Sequence, residues 1–178
     1  MPTAVSDRLD TKVRLSSIRP EDSPTLFRWI NDPETVRFNA AYKPVHWASH
    51  EEWCRSLAAN PGKQVLAIRV GDRLVGVVQL IDIDPVHRSA ELTIRIGEDA
   101  DRGCGYGTQA LRLATDFAWR DLNLHRIWLR VFADNARAIA AYRKAGFVDE
   151  GTLREAAHID GRYVDMRVFG LLRPGPVT

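Results

Sequence analysis

Between residues 101 and 119 the chain reads DRGCGYGTQALRLATDFAW, with Gly103, Gly105 and Gly107 alternating just before an apolar helical pattern. Free backbone N–H groups at a helix start, with the positive end of the helix dipole, attract phosphate. The glycines supply positive φ angles and let a ligand approach the main chain closely. No Lys-Ser/Thr follows them, which excludes a Walker loop, and the later glycine of a dinucleotide fingerprint is missing. The spacing therefore fits an anion cradle, and it equally fits a plain turn between a strand and a helix.

A second constellation lies downstream. In 134-DNARAIAAYRKAGF-147, Asn135 and Tyr142 are seven residues apart, with Ala138 between them. On a helix these three share one face, offering an amide, a gap and a phenol in a line. Such a face suits an extended chain of amides ending in a thioester. It also suits a capping asparagine followed by a half-buried tyrosine. A third candidate group is Glu91, in the strand-like run SAELTIRIG (89–97), where Glu91, Thr93 and Arg95 alternate with Leu92, Ile94 and Ile96. A carboxylate there could serve as a base, or could form a surface pair with Arg95.

The elements that must hold these groups follow from periodicity. VRLSSI (13–18) reads as a first strand, Ser23-Pro24 opens a helix through Ile30, and Asp32-Pro33 opens a second, short one. Ser49 and Glu52 have capping-box spacing for a helix across 51–60. QVLAIRV (64–70) and RLVGVVQLIDI (73–83) form a hairpin over Gly71-Asp72. The run 89–97 is a strand, 107–119 a helix and 125–133 a strand. A helix capped by Asp134 then stops at Gly146, and a hairpin around Asp160-Gly161 closes the chain. This order predicts an α/β fold of the α+β kind, a mixed sheet with helices on both faces. The expected organisation is one domain over residues 13–172 between loose tails at 1–12 and 173–178.

Composition narrows the function classes. Net charge is +2, and acids are interleaved with the bases, so nothing marks a nucleic-acid binder. No apolar run is long enough for a membrane helix, and no secretory signal opens the chain. Cys54 and Cys104 form no metal or disulfide pattern and suit a reducing compartment, so the cytoplasm is the expected location. Neither cysteine reads as an acyl carrier. His46 and His50 hint at a metal pair, but a helix capped by Ser49 would not carry both on one face, and no metal is expected.

Arg102-Gly103-Cys104-Gly105-Tyr106-Gly107 resembles the Q/R-x-x-G-x-G/A signature of the GNAT acetyltransferase superfamily. The likeness continues through Leu124-His125-Arg126, 134-DNARAIAAYRKAGF-147 and 150-EGTLREAAHIDGRYVD-165, towards the branch of ribosomal-protein alanine acetyltransferases and diamine and nucleotide-sugar acetyltransferases. It implies a single domain whose mostly antiparallel sheet has a central, splayed parallel pair. It implies acetyl-coenzyme A as co-substrate, with the pyrophosphate on Arg102, Gly103, Cys104, Gly105, Tyr106, Gly107 and Thr108. Pantetheine would meet the backbone of Ile94, Arg95 and Ile96, together with Asn135, Ala138 and Tyr142. Ala138 stands where many of these proteins carry serine, and Gln109 where glutamate is common.

Acyl transfer to an alkylamine, with its pKa near ~10.4, requires removal of a proton, and Glu91 resembles the strand glutamate that does this in some relatives. Glu150, Glu155 and Asp165 are weaker candidates. Tyr142 would serve as acid toward the leaving thiol. The resemblance implies direct transfer in a ternary complex, by a monomer or homodimer. The acceptor would be a small amine, an amino sugar or a peptide N-terminus. The stretch 35–50 holds Arg37, Phe38, Tyr42, Lys43 and Trp47 but no acid, which disfavours a polyamine. Rival readings are a non-catalytic acyl-CoA sensor and an acetyltransferase that detoxifies an antibiotic.

Overall fold

The computed structural model describes residues 12–37 and 43–175. Of the expected tails, all of 1–12 but residue 12 and the last three residues of 173–178 lie outside the described residues, as do Phe38 and Tyr42. The strands are β1 (Val13–Ser17), β2 (Gln64–Val70), β3 (Arg73–Asp84), β4 (Ser89–Ile96), β5 (Arg126–Phe132), β6 (Val148–Ile159) and β7 (Arg162–Leu172). The helices are α1 (Ser23–Ile30), α2 (Pro33–Val36), α3 (Trp47–Ser56), α4 (Tyr106–Arg120) and α5 (Ala136–Lys144). One sheet runs in the order β1-β2-β3-β4-β5-β7-β6. Every neighbour pair is antiparallel except β4 and β5.

The parallel pair is short. Ser89 faces Arg126, Ala90 faces Ile127 and Glu91 faces Trp128, and there the ladder stops. Beyond it β4 stays with β3 up to Ile96, and β5 stays with β7 up to Phe132. The sheet therefore forks, and main-chain groups of residues 92–96 that point away from β3 have no strand to pair with. The broken ladder arises from this divergence; the bulge nearby, at Ile81–Asp84, belongs to β3.

The apolar periodicity of α4 packs Ala110, Leu111, Ala114 and Ala118 with Ile68, Val78, Leu80 and Leu92 of the sheet, and α5 adds Ile139 and Tyr142 to this core. On the other face Leu26 and Trp29 of α1 cover Val77, joined by Trp53 of α3. Helix α1 is also tied down by charge. The Asp22 carboxylate, just before it, accepts from Arg69 Nη2 at 2.5 Å, with side-chain exposures of 5% and 2%. Arg69 also donates to Ser16 Oγ and the Asp72 carbonyl, which satisfies a guanidinium that could not otherwise be buried.

Three local expectations are corrected. Helix α3 begins at Trp47 with His46 as its N-cap, so Ser49 lies inside it and caps nothing. Asn135, one residue after the expected Asp134, caps α5. Gly105, in the left-handed region, precedes α4, and Gly107 is an ordinary helical residue.

Removing one partner of a buried ion pair strands the other charge. Asp22→Ala is expected to cost about 3–5 kcal/mol, on the order of 10 °C in Tm. The apolar double replacement Asp22→Leu with Arg69→Met should recover much of that loss in the same thermal melts.

Candidate functional site

The loop after β4 is built from its anchors inward. Asp101, 7% exposed, receives both terminal nitrogens of Arg73 at 2.6 and 2.8 Å, which fixes it to the start of β3. Glu98 accepts from Arg28 at 2.6 Å and from the Trp29 indole at 2.8 Å, and these bonds hold its carboxyl below the usual carboxylate range. Arg102 reaches back to the carbonyls of Ile96 and Gly97 at 3.3 and 3.2 Å and pairs with Asp99. Its guanidinium is thus occupied in bracing the loop against the end of β4.

Within this frame Gly103 and Gly105 both take φ +82°, and a Cβ on either would meet no atom within 4 Å. Their requirement for glycine is conformational rather than steric. Helix α4 makes its first internal bond from Gln109 N to the Gly105 carbonyl. Among the described residues, the N–H groups from Gly103 to Thr108 have no partner in the protein, and they converge on one end of a 15-residue helix. That is the physical description of an anion cradle. Cys104 is exposed in the loop, its thiol directed at the Ala100 carbonyl.

From the cradle a cavity of about 1110 Å³ runs through the fork. Ile94, Arg95 and Ile96 line one side, and Asn135, Ala138 and Tyr142 of α5 line another. The asparagine is a cap, and capping leaves its amide nitrogen available. Its Oδ1 caps α5 by accepting from Ala138 N at 3.1 Å, and Nδ2 has no protein partner among the described residues. Tyr142 is 7% exposed, between Phe147 and Phe169, and burial pushes its phenol up to about 12. At neutral pH it is a proton donor.

Glu91 lies at the point where the strands part, lining the cavity at 4% exposure. The pair with Arg95, one of the two alternatives for Glu91, is not formed. Instead both Glu91 oxygens accept from Arg130 of β5, from Nε and Nη2, each at 3.0 Å. Arg130 sits two residues beyond Trp128, the last backbone partner of β4, so a side-chain bridge continues the contact where main-chain pairing ends. The weaker carboxylates are elsewhere: Glu150 pairs with Arg126, and Asp165 accepts from Glu155 N. None of these three lines the cavity. Sequence reasoning missed Arg130, and it missed the aromatic wall of Trp29, His50 and Trp53, which lines the cavity together with Met166. Periodicity could have exposed the aromatic wall. The strand register that joins Arg130 to Glu91 leaves no mark in one sequence.

His50 is buried against Phe27, Trp47 and Trp53, with Nε2 3.0 Å from both the hydroxyl and the carbonyl of Ser23. Among the described residues no cluster of three or more His, Cys, Asp or Glu is arranged to hold a metal. No described helix is long and apolar enough to cross a membrane.

Comparison with known proteins places this geometry. The model of the acetyltransferase (GNAT) domain matches residues 12–148. Spermidine N(1)-acetyltransferase of Vibrio cholerae is 40% identical over 100 residues, 56% of this chain and 57% of that protein. The matched segment thus spans little more than half the length of that relative. L-amino acid N-acetyltransferase AaaT of Escherichia coli is 35% identical over 140 residues, covering 78% of this chain and 85% of that one. The crystal structure of Vibrio cholerae spermidine N-acetyltransferase with CoA and spermine superposes with TM-score 0.85 at 28% identity, over 91% of this chain and 96% of that one.

Replacing Gly105 by valine forces a β-branched residue into the left-handed region and crowds the free N–H groups. Gly105→Val is expected to weaken CoA binding by roughly tenfold or more, measured by calorimetry. Unchanged affinity would remove the loop from the donor site.

Proposed function

The chain belongs to the GNAT acetyltransferase family, and on that premise we propose that it transfers acetyl from acetyl-CoA to a primary amine within a ternary complex. The observation that carries this reading is the coincidence of two features. An unpartnered cradle of backbone N–H groups opens directly into a forked sheet, and the fork is lined by Asn135 and Tyr142. The relatives named for spermidine and for L-amino acids both modify amines, which supports an amine acceptor in this chain as well.

Each residue then has a definite task. The loop N–H groups from Gly103 to Thr108 hold the pyrophosphate, and the unpaired edge of residues 94–96 hydrogen-bonds the pantetheine amides. Asn135 Nδ2 donates to that same chain. Main-chain N–H groups at the fork steady the oxyanion that forms as the amine attacks. The ammonium first gives one proton to solvent through a water held by Glu91. The freed amine nitrogen then bonds the thioester carbon, the C–S bond breaks, and the second N–H proton leaves by the same water, while solvent returns to Tyr142 the proton it gives up. Each Glu91 oxygen keeps a lone pair after serving Arg130. Tyr142 protonates the departing thiolate; a thiol with pKa near ~8.5 requires only modest help.

The acetyltransfer reading is checked by thiol release from acetyl-CoA against a panel of amines. Release is expected with at least one; CoA binding without release from any would indicate a sensor. Tyr142→Phe should lower kcat by roughly 10–100-fold with little change in acetyl-CoA binding. An unaltered rate would take Tyr142 out of the reaction.

Glu91→Gln distinguishes base from brace. Loss of the water-holding carboxylate should lower kcat by about 10²-fold or more and shift its dependence on pH toward that of the free amine. Lost activity with an unchanged pH profile and a lowered Tm, shared by Arg130→Gln, would make Glu91 only the clasp of the fork.

A further inference from the structure

The cavity carries charge that the reaction alone does not explain. Three carboxylates line it, and each already has a cation: Glu91 has Arg130, Asp101 has Arg73, and Glu34 has Arg37 at 3.9 Å. Four lining cations form no ion pair among the described residues: Arg137 and Lys144 on α5, and Lys63 and Arg95 away from that helix. Lys63 lies 5.8 Å over the Trp53 ring, and burial pulls its ammonium below the usual lysine range. Arg95 is half-buried and forms no ion pair or side-chain hydrogen bond among the described residues, and its Nε is sealed from solvent with no partner. The segment 38–42, FNAAY, holds no acid that could answer it.

A half-buried, unanswered guanidinium is costly, because a charge leaving water needs compensating hydrogen bonds or an opposite charge. The direction of the shift agrees: burial and the neighbouring Arg102 both hold the Arg95 guanidinium below its usual value. Its position in the fold indicates what would compensate it. Arg95 faces Val77 across the β3–β4 ladder, and Val77 is covered by Leu26 and Trp29 of α1. Arg95 is thus on the α1 face of the sheet, whereas α4, whose N-terminus forms the donor's cradle, packs on the opposite face. The half of the cavity under α1 and α3 is left for the second substrate.

We propose that the acceptor amine carries an anionic group, a carboxylate or a phosphate, which binds Arg95 with Lys63 on the same wall. This inference rests on the acetyltransfer reading and narrows it to acceptors of amino-acid or amino-phosphate type. A guanidinium offers two parallel N–H donors that match either oxyanion. A polycation would instead meet two unpaired positive charges.

The test uses matched acceptors: alanine against alanine methyl ester, ethanolamine phosphate against ethanolamine, and spermidine. At least one anionic member should exceed its neutral partner about tenfold or more in kcat/KM, and which pair responds separates carboxylate from phosphate. Arg95→Gln should abolish that preference, raising KM for the anionic acceptor far more than KM for its neutral partner or for acetyl-CoA. Equal kcat/KM within both pairs, spermidine as the best acceptor, or a KM for acetyl-CoA raised as much as that for the anionic acceptor would each overturn the proposal; the last would assign the Arg95 side chain to the donor.

If no amine is acetylated, the acetyltransfer reading fails separately. Thermal melts of the CoA-loaded protein with N-acetylalanine or inorganic phosphate then decide the inference. A stabilisation present in the wild type and lost in Arg95→Gln supports the anion site, and no stabilisation by either overturns it.

Discussion

The molecule is organised around the parting of two parallel strands. β4 and β5 hold each other for three residue pairs and then follow different partners, β4 toward β3 and β5 toward β7. A sheet interior does not ordinarily leave main-chain donors and acceptors unpaired, because each costs free energy once removed from water. Here the cost is confined to one gap, and the gap becomes a place where a chain of amides can complete the ladder. The Glu91–Arg130 bridge stands at the vertex. It joins Glu91, in the last backbone pair, to Arg130, two residues further along β5, so the opening begins at a defined residue rather than fraying gradually.

A fork is useful only if the group that directs a ligand into it keeps its place. The glycine loop has little internal rigidity, since Gly103 and Gly105 have open space around their Cα atoms. Its position is imposed from outside. Arg73 clasps Asp101 from β3, Arg102 grips the last carbonyls of β4, and Glu98 is held by Arg28 and Trp29 of α1. Gly97 then lets the Trp29 indole lie against the strand end; a Cβ there would fall 2.0 Å from Cε2. The flexible residues present their N–H groups, and the charged residues around them remove the flexibility as a source of error.

Much of this architecture was legible in the residues. Strand limits from β2 to β7 follow the alternation and turn chemistry within a residue or two, because Gly71, Gly146 and Gly161 all take the positive φ that punctuates them. The cradle and the Asn135–Tyr142 face were readable because each depends on spacing along one element. The failures have a common physical origin. Ser49 has capping-box spacing, yet burial of His50 among Phe27, Trp47 and Trp53 draws the helix start back to Trp47. Glu91 shares a strand face with Arg95, which leaves their pairing open in the sequence, yet the carboxylate takes its partner from the next strand. Tertiary packing and cross-strand register decide such cases, and neither is encoded locally.

The two halves of the site solve the problem of binding charge in different ways. On the donor side the cradle uses neutral backbone dipoles at a helix start, so it needs no counter-ion when empty and imposes little desolvation cost on the folded chain. On the acceptor side the positive charge is a full guanidinium on a sheet face, with its neighbouring carboxylates already committed to other cations. Helix dipoles suit a ligand common to every turnover, since they recognise phosphate by geometry and say nothing of what is attached to it. A single unpaired side chain is a more selective device, because it favours one sign of charge and repels the other. In the proposed reading the glycine loop, the most recognisable feature of the sequence, thus bears on the donor, and the proposed discrimination between acceptors falls to Arg95, which no motif singles out.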